Sequence, residues 1–232
     1  MYNHTDNVIL YTKGWKLEIG DKATPWTPHP QDELYSGMGL NGTTVYDVSG
    51  FQNNGTRIGT LNYTSNTPRH DVCTIFPSGS HVSFPITTAG FTNSYTICYW
   101  GEFTGNSQMI CGSGDGNRLN LFATGGYFYH NTGDGSNNPF KDASNNNVST
   151  SEYTNSIHHY AITGNGSVNN LYIDGVKKGT STTYKPLNSS IMYINGWTNS
   201  ASYNISNGRV SDFRIYATAL SDADILELYN GY

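Results

Sequence analysis

The chain of 232 residues has a formal net charge of −5 with only 12% charged residues, and it holds 26 Gly, 18 Tyr and 27 Asn. A surface made soluble by amides and hydroxyls, rich in residues that tolerate left-handed turns, suits many short strands and disfavours helices. Lys and Arg form no basic stripe, no apolar run reaches membrane-spanning length and no basic-then-apolar leader opens the chain, so nucleic acid, a membrane span and a secretory signal are not expected.

In chain order, Val8-Ile9-Leu10-Tyr11 is a short apolar run, and Trp15, Leu17 and Ile19 alternate with polar residues, which predicts a β-arm. Pro25, Pro28 and Pro30 then forbid helix and sheet interior and impose an extended tether. Residues 1–30 are therefore expected to be an arm and tether, and residues 31–232 one autonomous domain. Strands are predicted at His81–Ile86, Ser94–Phe103, Gln108–Cys111, Asn117–Ala123, Tyr127–His130, His158–Thr163, Asn170–Val176, Ser190–Ile194 and Arg209–Tyr216. Their regular spacing, with Gly, Asn and Ser turns between them, argues for an all-β sandwich.

His158–Thr163 and Asn170–Val176 place an apolar residue at every second position, and Asp174-Gly175 is a hairpin-turn signal. The final segment Leu220–Tyr229 reads as one short helix. Ser221 is its N-cap, Asp224 the reciprocal partner, and Ile225, Leu228 and Tyr229 turn towards the sandwich. Cys73, Cys98 and Cys111 are odd in number and lack metal-ligand spacing. They read as free thiols of a protein made in a reducing cytoplasm, and whether Cys98 and Cys111 meet across a hairpin stays open.

Several of these residues carry a family resemblance. Asp47-Val48-Ser49-Gly50 with Asn53-Asn54-Gly55-Thr56, Phe76 with His81–Pro85, and Ser94–Ile97 with Trp100 resemble the opening pattern of laminin-G-like, concanavalin-type jelly rolls. The pair His158–Ala161 and Leu171–Gly175, and then Val210–Tyr216 with Ala219–Ser221, are similar to its later strands and closing helix. The matches run in order over about residues 35–230. The chain departs from the pattern at His158, where many relatives have Trp, and in residues 134–156, longer and more polar than the usual connection. The resemblance implies a two-sheet antiparallel jelly-roll sandwich with one short C-terminal helix.

Trp15–Pro28, with Lys16-Leu17-Glu18 and Ala23-Thr24-Pro25-Trp26, resembles a second pattern, which precedes C-terminal modules in minor tail proteins of phages of Gram-positive and gut bacteria. It implies synthesis in a bacterial cytoplasm, a place in the virion tail, upstream tail-protein domains as neighbours, and several copies that could form a homo-oligomer. The expected role is then recognition of host cell-wall or surface glycan.

Sugars offer apolar ring faces that stack on aromatics and hydroxyls that bond to amides. Trp197 and Tyr203 in the 196–206 loop, and Tyr127, Tyr129, His130 and Asn131 beside the long 134–155 loop, are the candidates for carbohydrate binding. The competing reading turns Tyr127 and Tyr129 into the core and leaves the loops to solvate a surface; Trp26 and Trp100 are assigned to packing. The resemblance also implies, in some relatives, a structural calcium, which maps to Asp47, Gly50 and Asp212. Against it, Asp47 serves a turn and Asp212 a strand end.

Catalysis is not expected. The five glutamates, Glu18, Glu33, Glu102, Glu152 and Glu227, form no close pair in sequence, and no G-x-S-x-G elbow occurs. His158 and His159 are adjacent strand residues and so point to opposite faces. The expected function is a phage tail recognition module that binds carbohydrate without catalysis. A structural decoration or adhesion domain of the virion is the alternative, and a tail glycan hydrolase ranks last.

Overall fold

A strand with one face on a core alternates buried and open residues, yet all of Tyr95–Gly101 is buried, as is His159–Gly164. Such strands must be covered on both sides. The computed structural model describes residues 43–45, 47, 53–64, 73–86, 94–105, 108–113, 121–131, 137–184, 191–196 and 208–230. In chain order its strands are β1 (Thr44–Val45), β2 (Gly55–Ile58), β3 (Asn62–Thr64), β4 (Cys73–Phe76), β5 (His81–Pro85), β6 (Tyr95–Glu102) and β7 (Gln108–Ser113). There follow β8 (Leu121–Thr124), β9 (Tyr127–Asn131), β10 (Asn137–Pro139), β11 (Ile157–Gly164), β12 (Asn169–Ile173), β13 (Val176–Ser181), β14 (Ile191–Ile194) and β15 (Gly208–Tyr216), then helix α1 (Asp222–Asn230).

The strands form two antiparallel sheets. One has the order β1-β2-β5-β14-β7-β8-β9-β10, the other β13-β12-β11-β6-β15-β4-β3. Between them lies the main core, where Ile97, Tyr99, Tyr160, Ile162, Leu171 and Ile173 of the seven-stranded sheet meet Cys111, Leu121, Phe128, Met192 and Ile194 of the other. The second cover is α1. Ile225 is buried with Cys98, Ala161 and Tyr172 on the far face of the seven-stranded sheet, and Tyr229 stacks on Trp100 at 5.7 Å. The two thiols therefore lie in different sheets, Cys98 under the helix and Cys111 in the main core, and do not form a disulfide with each other. Among the described residues no helix is long and apolar enough to cross a membrane.

Local rules account for the joints. The amide of Ser221 donates to Asp224 Oδ2 at 2.8 Å and the amide of Asp224 to Ser221 Oγ at 3.2 Å, the reciprocal cap read from the sequence. Asp174 and Gly175 both have positive φ, 53° and 75°, which gives the β12–β13 turn the twist its strands require. In β15 the register slips between Ser211 and Arg214, and Asp212 at that bulge has φ 50°.

The long polar connection is no free loop. Phe140 and Val148 are buried in the core, the amides of Phe140 and Val148 donate to Phe128 O and Phe140 O, and the amide of Phe128 donates to Val148 O. Lys141 and Thr180 exchange two backbone hydrogen bonds of 2.9 Å. The chain just after β10 is thereby joined to Thr180 of β13, the outer strand of the other sheet, by one isolated bridge that partly covers that edge.

Candidate functional site

Strand β9 decides which surface of the β8–β9–β10 corner meets solvent. Phe128 and His130 are fully buried, whereas Tyr127 is 39% exposed and Tyr129 half-buried. Since side chains alternate across a strand, Tyr127 and Tyr129 share the outward face, and the competing reading that turns them into the core is overturned. Register extends the platform: Tyr129 stands opposite Phe122 of β8 and Pro139 of β10, and Tyr127 opposite Thr124. Two tyrosines two positions apart on a strand are about 7 Å apart along it. The Tyr127 and Tyr129 rings with their hydroxyl tips, set over a buried Phe122 and beside a half-buried Pro139, can stack on a sugar ring and bond to its hydroxyls.

His130 is corrected out of that set. It lies on the opposite face with no exposed surface, and burial pushes its imidazole down to about 4, so it stays neutral. Neither ring nitrogen has a hydrogen-bond partner among the described residues. Asn131 is placed only by its backbone, opposite Asn137 of β10. Trp197 and Tyr203 lie outside the described residues, as do Trp26 and the whole of residues 1–30. Trp100 is buried, in keeping with its assignment to packing.

The calcium expectation does not fit the side chains. Asp47 Oδ2 accepts the amide of Asn53 at 2.9 Å while its own amide donates to Asn54 Oδ1, so its carboxylate closes a turn. Asp212 is buried in an ion pair with Arg214, Nε to Oδ1 2.7 Å. A cation at Asp212 would have to displace a guanidinium whose own burial depends on that carboxylate. Gly50 lies outside the described residues.

A second polar constellation was not anticipated. His158 is the second residue of β11, on its core-facing side at the rim of the sandwich. Its Nδ1 lies 2.7 Å from Asp174 Oδ2 and its Nε2 2.8 Å from Ser156 Oγ. Asp174 sits in the β12–β13 turn, and its second oxygen accepts the amide of His159 at 3.0 Å. Burial pushes the Asp174 carboxyl up, but the hydrogen bonds from the His158 ring and the His159 amide outweigh it and hold the group below its ordinary value. The Tyr153 ring packs edge-on to His158 at 5.1 Å, and the Lys178 ammonium stands 6.0 Å from the centre of that ring. The only trace in sequence is a Ser-x-His on one strand end, with an Asp-Gly turn 16 residues after the histidine.

Set against known proteins, residues 76–226 match a family model described as the concanavalin A-like lectin/glucanases superfamily, which bears out the resemblance of about residues 35–230 to concanavalin-type jelly rolls. No curated protein sequence matches the chain. Among solved structures the fold is similar to domain 4 of a GH43 extracellular arabinanase from Geobacillus stearothermophilus in complex with arabinotriose. That likeness has a TM-score of 0.60 at 15% identity and covers 86% of this chain and 94% of that one. It is similar as well to the receptor binding domain of botulinum neurotoxin C/D mosaic serotype, with TM-score 0.58, 16% identity, and 81% and 48% of the two chains covered. The binding domain of botulinum neurotoxin DC in complex with SialylT gives 0.58, 19%, 81% and 48%. This chain thus spans about half the length of those toxin domains. At such identities the likeness is one of fold.

Proposed function

This chain belongs to the concanavalin A-like lectin/glucanase superfamily, and from that premise we propose that it binds carbohydrate through the outward Tyr127–Tyr129 face, without cleaving glycosidic bonds. The observation that carries the proposal is the shared outward direction of the two tyrosines beside Phe122 and Pro139. A structural neighbour of nearly the same extent that holds arabinotriose supports a saccharide ligand. Glycosidases need two carboxylates about 5 to 9.5 Å apart astride the bond, and Thr124, Pro139 and the aromatic residues of this face supply none. Recognition without cleavage is the chemistry such a surface can perform.

The module serves in the tail of a phage, with host cell-wall or surface glycan as its partner. The Trp15–Pro28 segment, with its likeness to phage tail proteins, supports that placement. Binding per module is then weak and multiplied by the copies a tail presents to a repetitive surface. A glycan array on the full chain, followed by titration of the best ligand, tests the proposal. Tyr127→Ala should weaken binding about tenfold, the equivalent of about 1.4 kcal/mol of lost stacking. Because Tyr127 is 39% exposed, its loss should leave stability within about 0.5 kcal/mol of wild type. Unchanged affinity in the Tyr127→Ala/Tyr129→Ala double variant would remove this face as the site, and no binding to any glycan would remove the function.

A further inference from the structure

The Ser156–His158–Asp174 constellation has the connectivity of a nucleophile, a base and an orienting acid. Asp174 is held ionised and a carboxylate only accepts, so the 2.7 Å contact requires a proton on His158 Nδ1. In the neutral ring Nε2 then carries the lone pair, and the hydroxyl of Ser156, 2.8 Å away, donates to it. The three groups come from a loop end, a strand and a hairpin turn. Both Ser156 and His158 keep a partly open surface, with the His158 side chain 19% exposed. Holding the loop in place does not require this order. The amide of Asn155 already donates to Phe103 O at 2.7 Å and that of Tyr153 to Thr150 O at 2.9 Å. Asp174 closes its turn through the amide of His159 and its own amide's bond to His159 O at 2.8 Å.

We propose that Ser156 is a nucleophile activated by His158, with Asp174 as the positioning residue, and that this rim cleaves small carboxylic esters. The inference is independent of glycan binding at the tyrosine face and concerns an acyl group, not a glycosidic bond. As Ser156 Oγ bonds to the ester carbonyl carbon, its proton passes to His158 Nε2. The tetrahedral oxyanion collapses, the ester C–O bond breaks, and His158 returns the proton to the departing alkoxide. Water then attacks the acyl-serine, giving its proton to His158; the acid leaves and Ser156 recovers its proton. With the Tyr153 ring packed edge-on to His158 at 5.1 Å, a half-buried serine admits a short acyl chain better than a bulky one. Lys178, over the same ring, adds positive charge at this rim.

The test is covalent labelling of the full chain with a fluorophosphonate, in which Ser156 Oγ displaces fluoride at phosphorus, read by peptide mass spectrometry. Ser149 and Ser151 are internal controls, exposed serines that share a hydroxyl pair at 2.9 Å. Ser156 should label about 10²- to 10⁴-fold faster than either, the range expected of general-base assistance. His158→Gln should remove that advantage. In Asp174→Asn, which keeps a residue tolerant of positive φ in the turn, labelling of Ser156 but not of Ser149 should slow, and the downfield proton NMR signal of the His158 Nδ1–H bonded to Asp174 should move upfield. Melting curves of each variant establish that it is folded. Labelling of Ser156 no faster than Ser149, or equally fast in folded His158→Gln, would overturn the proposal. Ser156→Ala should abolish both the label and hydrolysis of p-nitrophenyl acetate above buffer, and persistence of that hydrolysis would also count against it.

Discussion

Gly164 ends β11 directly opposite Tyr95, the first residue of β6. A methyl group built on Gly164 would stand 2.5 Å from Tyr95 Cζ and 2.8 Å from its hydroxyl oxygen, and closer still to Cε1. Ordinary carbon contacts are about 3.5 to 4.0 Å, so the ring or the strand must move by roughly 1 Å. The ring has nowhere to go: Tyr95 has no exposed surface, its hydroxyl donates to Asn169 Oδ1, and Tyr184 stacks on it with centroids 6.5 Å apart. Overpacking costs about 1 to 3 kcal/mol. If the ring yields, the buried Asn169 oxygen loses its donor at about 1 to 3 kcal/mol more. The stiffer unfolded chain of an alanine returns only about 0.4 to 1 kcal/mol. Gly164→Ala should therefore destabilise by roughly 2 to 5 kcal/mol, a fall in melting temperature of roughly 5 to 15 °C for a domain of this size. Urea unfolding and thermal melts of Gly164→Ala, Tyr95→Leu and the double variant measure it. In the Tyr95→Leu background, where the ring is gone, most of the alanine penalty should disappear. A Gly164→Ala protein within about 0.5 kcal/mol of wild type, or a penalty undiminished by Tyr95→Leu, would refute the steric account.

Acid should weaken the fold through His130. Between pH 6.5 and about 4 the unfolded chain binds a proton that the buried imidazole refuses, so stability falls as the pH is lowered through that window, by up to roughly 3 kcal/mol. His130→Leu should flatten this dependence in urea titrations at pH 7 and pH 4.5, and an unaltered slope would mean that His130 is protonated at no such cost. Asp174, held low, adds a further loss only at more acid pH, where the unfolded chain binds a proton that the folded carboxylate does not yet take. At the other end of the chain, Ser221→Ala removes the acceptor for the Asp224 amide and should cost about 1 kcal/mol in the same assay. Because Ile225 anchors α1 over Cys98 and Ala161, the cost should appear as lower stability of the whole domain; separate fraying of the helix would show that α1 is not part of the cooperative unit.

What the sequence determined by itself is what short-range stereochemistry dictates. The strand over His158–Thr163, the Asp174-Gly175 turn and the Ser221/Asp224 cap each rest on residues within one strand, one turn or one helical turn, and the structure has them all, although its strand is buried on both faces where the alternation of apolar residues pointed to one. The ordered family pattern carried the two-sheet sandwich because the match spans most of the chain. The sign of each strand's two faces was not legible. Period two separates Tyr127 and Tyr129 from Phe128 and His130, but only the packing of the other sheet selects which pair is buried, and it buried the histidine. Nor could local rules foresee that α1 covers the far face of β6, that Lys141 just after β10 bridges to Thr180 of β13, or that Asp212 at a bulge pairs with Arg214. Ser156, His158 and Asp174 are the sharpest case. Their chemistry depends on a hairpin that folds Asp174 back 16 positions and a loop that delivers Ser156 to the other ring nitrogen. Contacts of that kind are made by chain closure and not by neighbours in sequence, so only the tertiary structure could decide them.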